Sequence, residues 1–142
     1  MSLLPPFTTR GFTTPPTAEE IAELAETELE RIPRRLAAHI HGLGILVEEV
    51  ADDELVAEMG LESPWDLSGI YMGTPLTRAS VTDTPTRPNM ILLFREPILL
   101  EWIETGDELS AIVRTVLIHE IAHHFGFTDE EIEMLEREAD AD

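Results

Sequence analysis

From Thr17 onward the apolar positions follow two patterns, helical spacing and short continuous runs. Ile21, Leu24, Ala25 and Ile32, with Glu28 among them, recur as one face of a helix does. Thr17-Ala18-Glu19-Glu20 in front of them is a capping box, in which a hydroxyl and a carboxylate satisfy each other's free amides. Pro33 interrupts the pattern, and residues 34–41 read as a second short helical stretch. Gly42 and Gly44 bracket a stop before a strand at 45–50. Residues 52–58, with Leu55 and Val56, are a helical turn or a loop whose charges are solvated. Residues 69–73 are a short strand candidate, followed by a turn at 74–77 and a loop rich in proline and threonine at 80–89. Met90-Ile91-Leu92-Leu93-Phe94 is an unbroken apolar run, suited to a strand buried on both faces.

Pro97 opens a short helix carrying Leu99, Leu100, Trp102 and Ile103. Residues 105–108 (Thr-Gly-Asp-Glu) read as a second capping box, and a long helix runs from there to about Phe125. Gly126 stops it, as a residue tolerant of positive φ does. Residues 128–131 (Thr-Asp-Glu-Glu) form a third box ahead of a last helix with Ile132 and Leu135. Residues 1–16 hold four prolines and no periodicity, which predicts a flexible arm. Residues 17–142 then form one domain of the α+β class, without internal repeats.

A chain of 142 residues that is 43% apolar has the length and the material for one domain with a real core. It carries 29 acids against 9 bases, all arginine, for a net charge of −20. Such a surface repels phosphate, which argues against nucleic acid and against anionic membranes. Basic peptides stay permissible. With no cysteine there are no disulfides, thiolate zinc sites, iron–sulfur clusters or cysteine nucleophiles, so any metal must be held by histidine and carboxylate. No apolar run approaches the roughly 20 residues of a membrane span, and the N-terminus lacks a secretory pattern, so a cytoplasmic location is expected.

His119-Glu120-Ile121-Ala122-His123 is HExxH. Four residues on a helix make about one turn, which puts both imidazoles on one face, where they can reach one Zn²⁺ at roughly 2.0–2.1 Å. Glu120, about 100° round the helix, is placed to act as a base without being a ligand. Chance supplies the bare pattern about 0.025 times in a chain of this composition, so its surroundings matter. Ile112, Val113, Val116, Leu117, Ile118 and Ile121 make the helix apolar on most sides, which predicts burial and a shared partner for its polar groups. The alternative is a pair of core histidines that bond only to protein. The longer stretch reads HExxHxxGxxD, with Asp129 where metzincins place a third histidine. Gly126 lets the chain turn and bring Asp129 back to the metal; otherwise Asp129 only favours the positive end of the last helix. Glu133 is the fallback ligand, ahead of Glu130. Tyr71 is either an oxyanion donor or a strand tyrosine packing its ring. His124, His39 and His41 read as structural or surface histidines.

These segments together resemble the small bacterial zincin-like metallopeptidase family. The resemblance rests on Ile32-Pro33, on residues 69–77 and on residues 119–129, and spans roughly residues 20–135. It implies a minimal zincin-like domain, with the active-site helix packed on a small mixed sheet between flanking helices. It also implies zinc held by His119, His123 and Asp129, with Glu120 as base. The expected activity is peptide hydrolysis by a zinc-bound water that Glu120 activates, with the oxyanion helped by Tyr71 or Arg78. An edge strand within 69–73 or 89–94 would align a peptide or protein substrate, and the negative surface would favour a basic one. The alternative is a catalytically silent zinc-binding interaction module with the same core. Little chain follows Asp129 to supply a further ligand or a methionine turn, so the cleft should be shallow, or completed by the N-terminal arm or another subunit.

Overall fold

The computed structural model describes residues 14–73 and 89–141. Most of the expected N-terminal arm, the turn at 74–77, Arg78 and nearly all of the 80–89 loop lie outside the described residues. Helix α1 (Ala18–Leu29) starts at the expected capping box, with Thr17 N–H donating to Glu20 Oε1 at 2.9 Å and Glu20 N–H to Thr17 Oγ1 at 3.1 Å. It buries Ile21, Ala25 and Glu28. After Pro33 comes the single turn α2 (Arg34–Ala37), shorter than the 34–41 stretch expected because the chain tightens into i→i+3 turns, with His39 N–H donating to Leu36 O at 3.0 Å and Ile40 N–H to Ala37 O at 3.2 Å. Strand β1 (Gly44–Glu48) leads to α3 (Asp53–Glu58), where Asp52 caps the helix by accepting from Leu55 N–H at 2.8 Å. The ambiguous acidic stretch is thus a helix. A 3-10 turn (Pro64–Asp66), strand β2 (Gly69–Met72), strand β3 (Met90–Phe94) and helix α4 (Arg95–Thr105) come next.

The three strands form one mixed sheet in the order β1-β3-β2. β1 runs parallel to β3 with Gly44 opposite Met90, and β2 runs antiparallel with Gly69 opposite Leu93. The apolar run at 90–94 is the central strand, with Ile91, Leu93 and Phe94 buried. Residues 90–94 therefore offer no free edge: both sides of β3 are already paired, and β2 is the edge strand nearer the site.

Helix α5 (Leu109–His124) lies across this sheet against α1, α4 and β2. Its start corrects one reading. Thr105 does not cap it; Glu108 occupies the N-cap without a side-chain cap bond, and Thr105 ends α4 by donating its hydroxyl to Glu101 O at 2.8 Å. Gly106, at φ 74°, closes α4. β2 comes so close to α5 that a Cβ on Gly69 would sit 2.8 Å from Val116 Cγ1 and 3.0 Å from Leu92 O. Gly69→Ala should therefore cost about 1–3 kcal/mol by overpacking. Chemical denaturation reads this directly, and an unchanged midpoint would remove the close approach as a constraint.

The end of α5 follows the expected logic. Gly126, at φ 82°, donates to His123 O at 3.1 Å while Phe127 N–H donates to Ala122 O at 3.0 Å, a Schellman closure. The Thr128 box then starts α6 (Asp129–Ala141): Thr128 N–H donates to Glu131 Oε1 at 2.9 Å and Glu131 N–H to Thr128 Oγ1 at 3.2 Å. Ile132, Leu135 and Ala139 bury one face of α6 against α5. So tight a reversal makes the two helices antiparallel neighbours.

Candidate metal centre

That reversal pairs polar residues down the two helices. His123 Nε2 lies 3.8 Å from Asp129 Oδ1, His119 Nδ1 lies 3.7 Å from Glu136 Oε1, and Arg114 Nη2 lies 3.1 Å from Asp140 Oδ1. The first two pairs face a groove of about 610 Å³ lined by His119, His123, Asp129, Ile132, Glu133 and Glu136. The imidazoles themselves are near-perpendicular, with ring centroids 4.5 Å apart.

The histidines are not buried. Their side chains are 47% and 48% exposed, although the helix around them buries eight residues from Leu109 to Ala122. The expectation that burial forces them onto a shared partner is therefore corrected: they form the one strip of this part of α5 that faces water. Core histidines bonded only to protein are equally unlike what is described.

Glu120 is different. Around the helix it falls between His123 and His124, outside the groove lining and on the flank toward β2. Desolvation by burial pushes its carboxyl up from 4.5 to about 7. Next to it His124 stacks on Tyr71 with centroids 4.0 Å apart, and Phe125 meets the same tyrosine edge-on at 5.8 Å. Burial lowers the His124 pKa and raises that of Tyr71, so the tyrosine keeps its proton. Tyr71 is only 8% exposed, and its hydroxyl is buried with no hydrogen-bond partner among the described residues. Of its two expected roles, ring packing is the one the described residues show. Tyr71→Phe separates them. It removes an unsatisfied buried hydroxyl, so stability should hold or rise by about 1 kcal/mol, and hydrolysis should be unaffected unless the hydroxyl reaches substrate. His39 stacks on Phe125 at 5.0 Å and meets Phe127 edge-on at 5.8 Å, away from the groove lining.

The donor chemistry fits zinc: two imidazoles and three carboxylates, with no cation in the groove lining. The 3.8 Å between His123 Nε2 and Asp129 Oδ1 is close to the separation of about 3.4 Å between two ligands on one tetrahedral zinc. Among the described residues no three such side chains are already drawn together as a cage. The final approach falls to exposed side chains, Asp129 above all, which is 89% exposed. Glu136 was not among the residues expected at this site. Its only sequence signal is the spacing of Asp129, Glu133 and Glu136, i, i+4 and i+7 on one helical face.

The family model for zincin-like metallopeptidases matches residues 40–139. This chain belongs to that family. The matched span begins after Ile32-Pro33, so that segment takes no part in it. The family implies zinc binding and peptidase chemistry. No curated protein matches the chain. Among the described residues no helix is long and apolar enough to cross a membrane.

Proposed function

We propose that the chain is a zinc-dependent peptidase, with His119, His123 and Asp129 as metal ligands and Glu120 as general acid–base. The observation that supports this most is the exposed imidazole pair set against the Asp129 carboxylate, on the helix that also carries Glu120. Zinc, when bound, supplies Lewis-acid polarisation of the scissile carbonyl and a lowered pKa for the attacking water. Glu120 takes a proton as the water oxygen bonds to the carbonyl carbon. It then gives that proton to the amide nitrogen as the C–N bond breaks. β2 is paired on one side only among the described residues and lies on the Glu120 flank, where an extended peptide can add as a further strand. The surplus of carboxylates favours basic peptides. A cytoplasmic location stays part of the proposal.

Glu133 and Glu136 in the same groove favour one rival, a silent zinc-binding module whose coordination is completed by protein. Metal analysis makes the first cut. The wild-type protein should carry about one zinc per chain and His119→Ala none, whereas His124→Ala should keep it. Stoichiometric zinc in His119→Ala would dismiss the ligand assignment. Zinc without turnover on any peptide would favour the silent module.

A further inference from the structure

We infer that Glu136 is a positioning residue for His119: its carboxylate holds the Nδ1 side of the imidazole and leaves Nε2 as the donor for the metal. The inference rests on the zinc reading of the groove and adds a role that the motif does not contain. Two carboxylates of α6 address opposite nitrogens of the imidazole pair. Asp129 faces His123 across Nε2 at 3.8 Å, and Glu136 faces His119 across Nδ1 at 3.7 Å. A carboxylate beside the metal-facing nitrogen is placed to be a co-ligand. A carboxylate beside the other nitrogen is placed to accept its proton, which fixes the tautomer and makes the free nitrogen a better donor.

The surroundings of Glu136 suit holding more than reaching. It follows Leu135, which is fully buried, so its backbone is anchored on α5. Its side chain is 27% exposed, against 89% for Asp129. The gap of 3.7 Å is longer than a direct hydrogen bond, but the last torsion of a glutamate is broad, and a small rotation closes it. Nothing else in the groove lining is charged apart from Asp129 and Glu133, which lie nearer the start of α6.

The test uses metal-free protein first. Long-range proton–nitrogen NMR spectra at about pH 8.5, above the ordinary imidazole range, report the tautomer of each histidine. His119, assigned by the signal missing from His119→Gln, should carry its proton on Nδ1 in the wild type and on Nε2 in Glu136→Leu. Glu136→Gln keeps an acceptor and should restore the wild-type tautomer. Zinc competition against a chelating dye should then show Glu136→Leu binding one zinc about 10–100-fold more weakly, with Glu136→Gln closer to wild type. An unchanged His119 tautomer in Glu136→Leu overturns the inference. Loss of zinc in Glu136→Leu as complete as in His119→Ala also overturns it, by making Glu136 a ligand. If the wild type binds no zinc, the functional reading fails, and the tautomer spectra still decide the role of Glu136.

Discussion

Glu120→Gln should keep about one zinc per chain and lose roughly 10²–10⁴ in hydrolytic rate. The amide has nearly the size of the carboxylate and can still accept a hydrogen bond, but it cannot take a proton from water or deliver one to the leaving amine. A second readout needs no substrate. In the metal-free protein the Glu120 carboxyl titrates near 7, raised by burial, against about 4.5 when the chain is unfolded. Between those values the folded state binds the extra proton. Stability is thus fully present below about pH 4.5, falls as pH rises through the window and levels off above about 7. The loss is at most about 3 kcal/mol, less whatever the remaining solvent contact screens. Glutamine has nothing to titrate, so metal-free Glu120→Gln should melt higher than wild type at pH 8 and lack that part of the slope. Equal hydrolysis by the two proteins would end the general-base assignment, whatever the melting curves show.

How much of this could be read in advance depended on how local each signal was. The HExxH strip, the stop at Gly126 and the caps at Thr17 and Thr128 all act within a few residues of themselves, and all are found where the spacing put them. Thr105 shows the limit of such patterns. The same Thr-x-x-Glu that starts two helices here sits at the end of α4, because Gly106 claims the left-handed position first and the hydroxyl turns back to Glu101. The exposure of His119 and His123 was not legible either. The helix is apolar on enough sides to look buried, and only the placement of α6 shows which strip stays open. Glu136 depends on the same placement. Seven residues beyond Asp129, it meets His119 only because α6 runs back along α5. The paired edges of β3 likewise required the strand order, which a hydrophobic run does not contain.

Arg114→Met should destabilise the protein by about 3–5 kcal/mol, a large share of the stability of a domain this size. Glu28 on α1 is the single charged residue buried among those described, at 2% exposure. Arg114 Nη1 donates to its Oε1 at 2.8 Å, while Arg31 lies 3.8 Å from its other oxygen and is largely exposed. Without the guanidinium the glutamate is left charged in the core with little to balance it. Most of the expected loss is that stranded charge rather than any net gain from the pair. The double substitution Glu28→Leu with Arg114→Met should therefore recover most of it. The recovered protein is then informative about the metal centre. Arg114 also donates to Asp140 at 3.1 Å, tying the far end of α6 to the helix that carries His119 and His123. Asp140 is exposed, so this bond contributes little to stability. Its effect on the register of Asp129 and Glu136 against the histidines is a separate matter. If that tie sets the register, the double variant should fold like wild type yet bind zinc more weakly. Wild-type affinity in the double variant would show that the buried face of α6, through Ile132, Leu135 and Ala139, holds the groove in place alone. A loss below about 1 kcal/mol in the single variant would mean that Glu28 reaches solvent or another cation when Arg114 is gone.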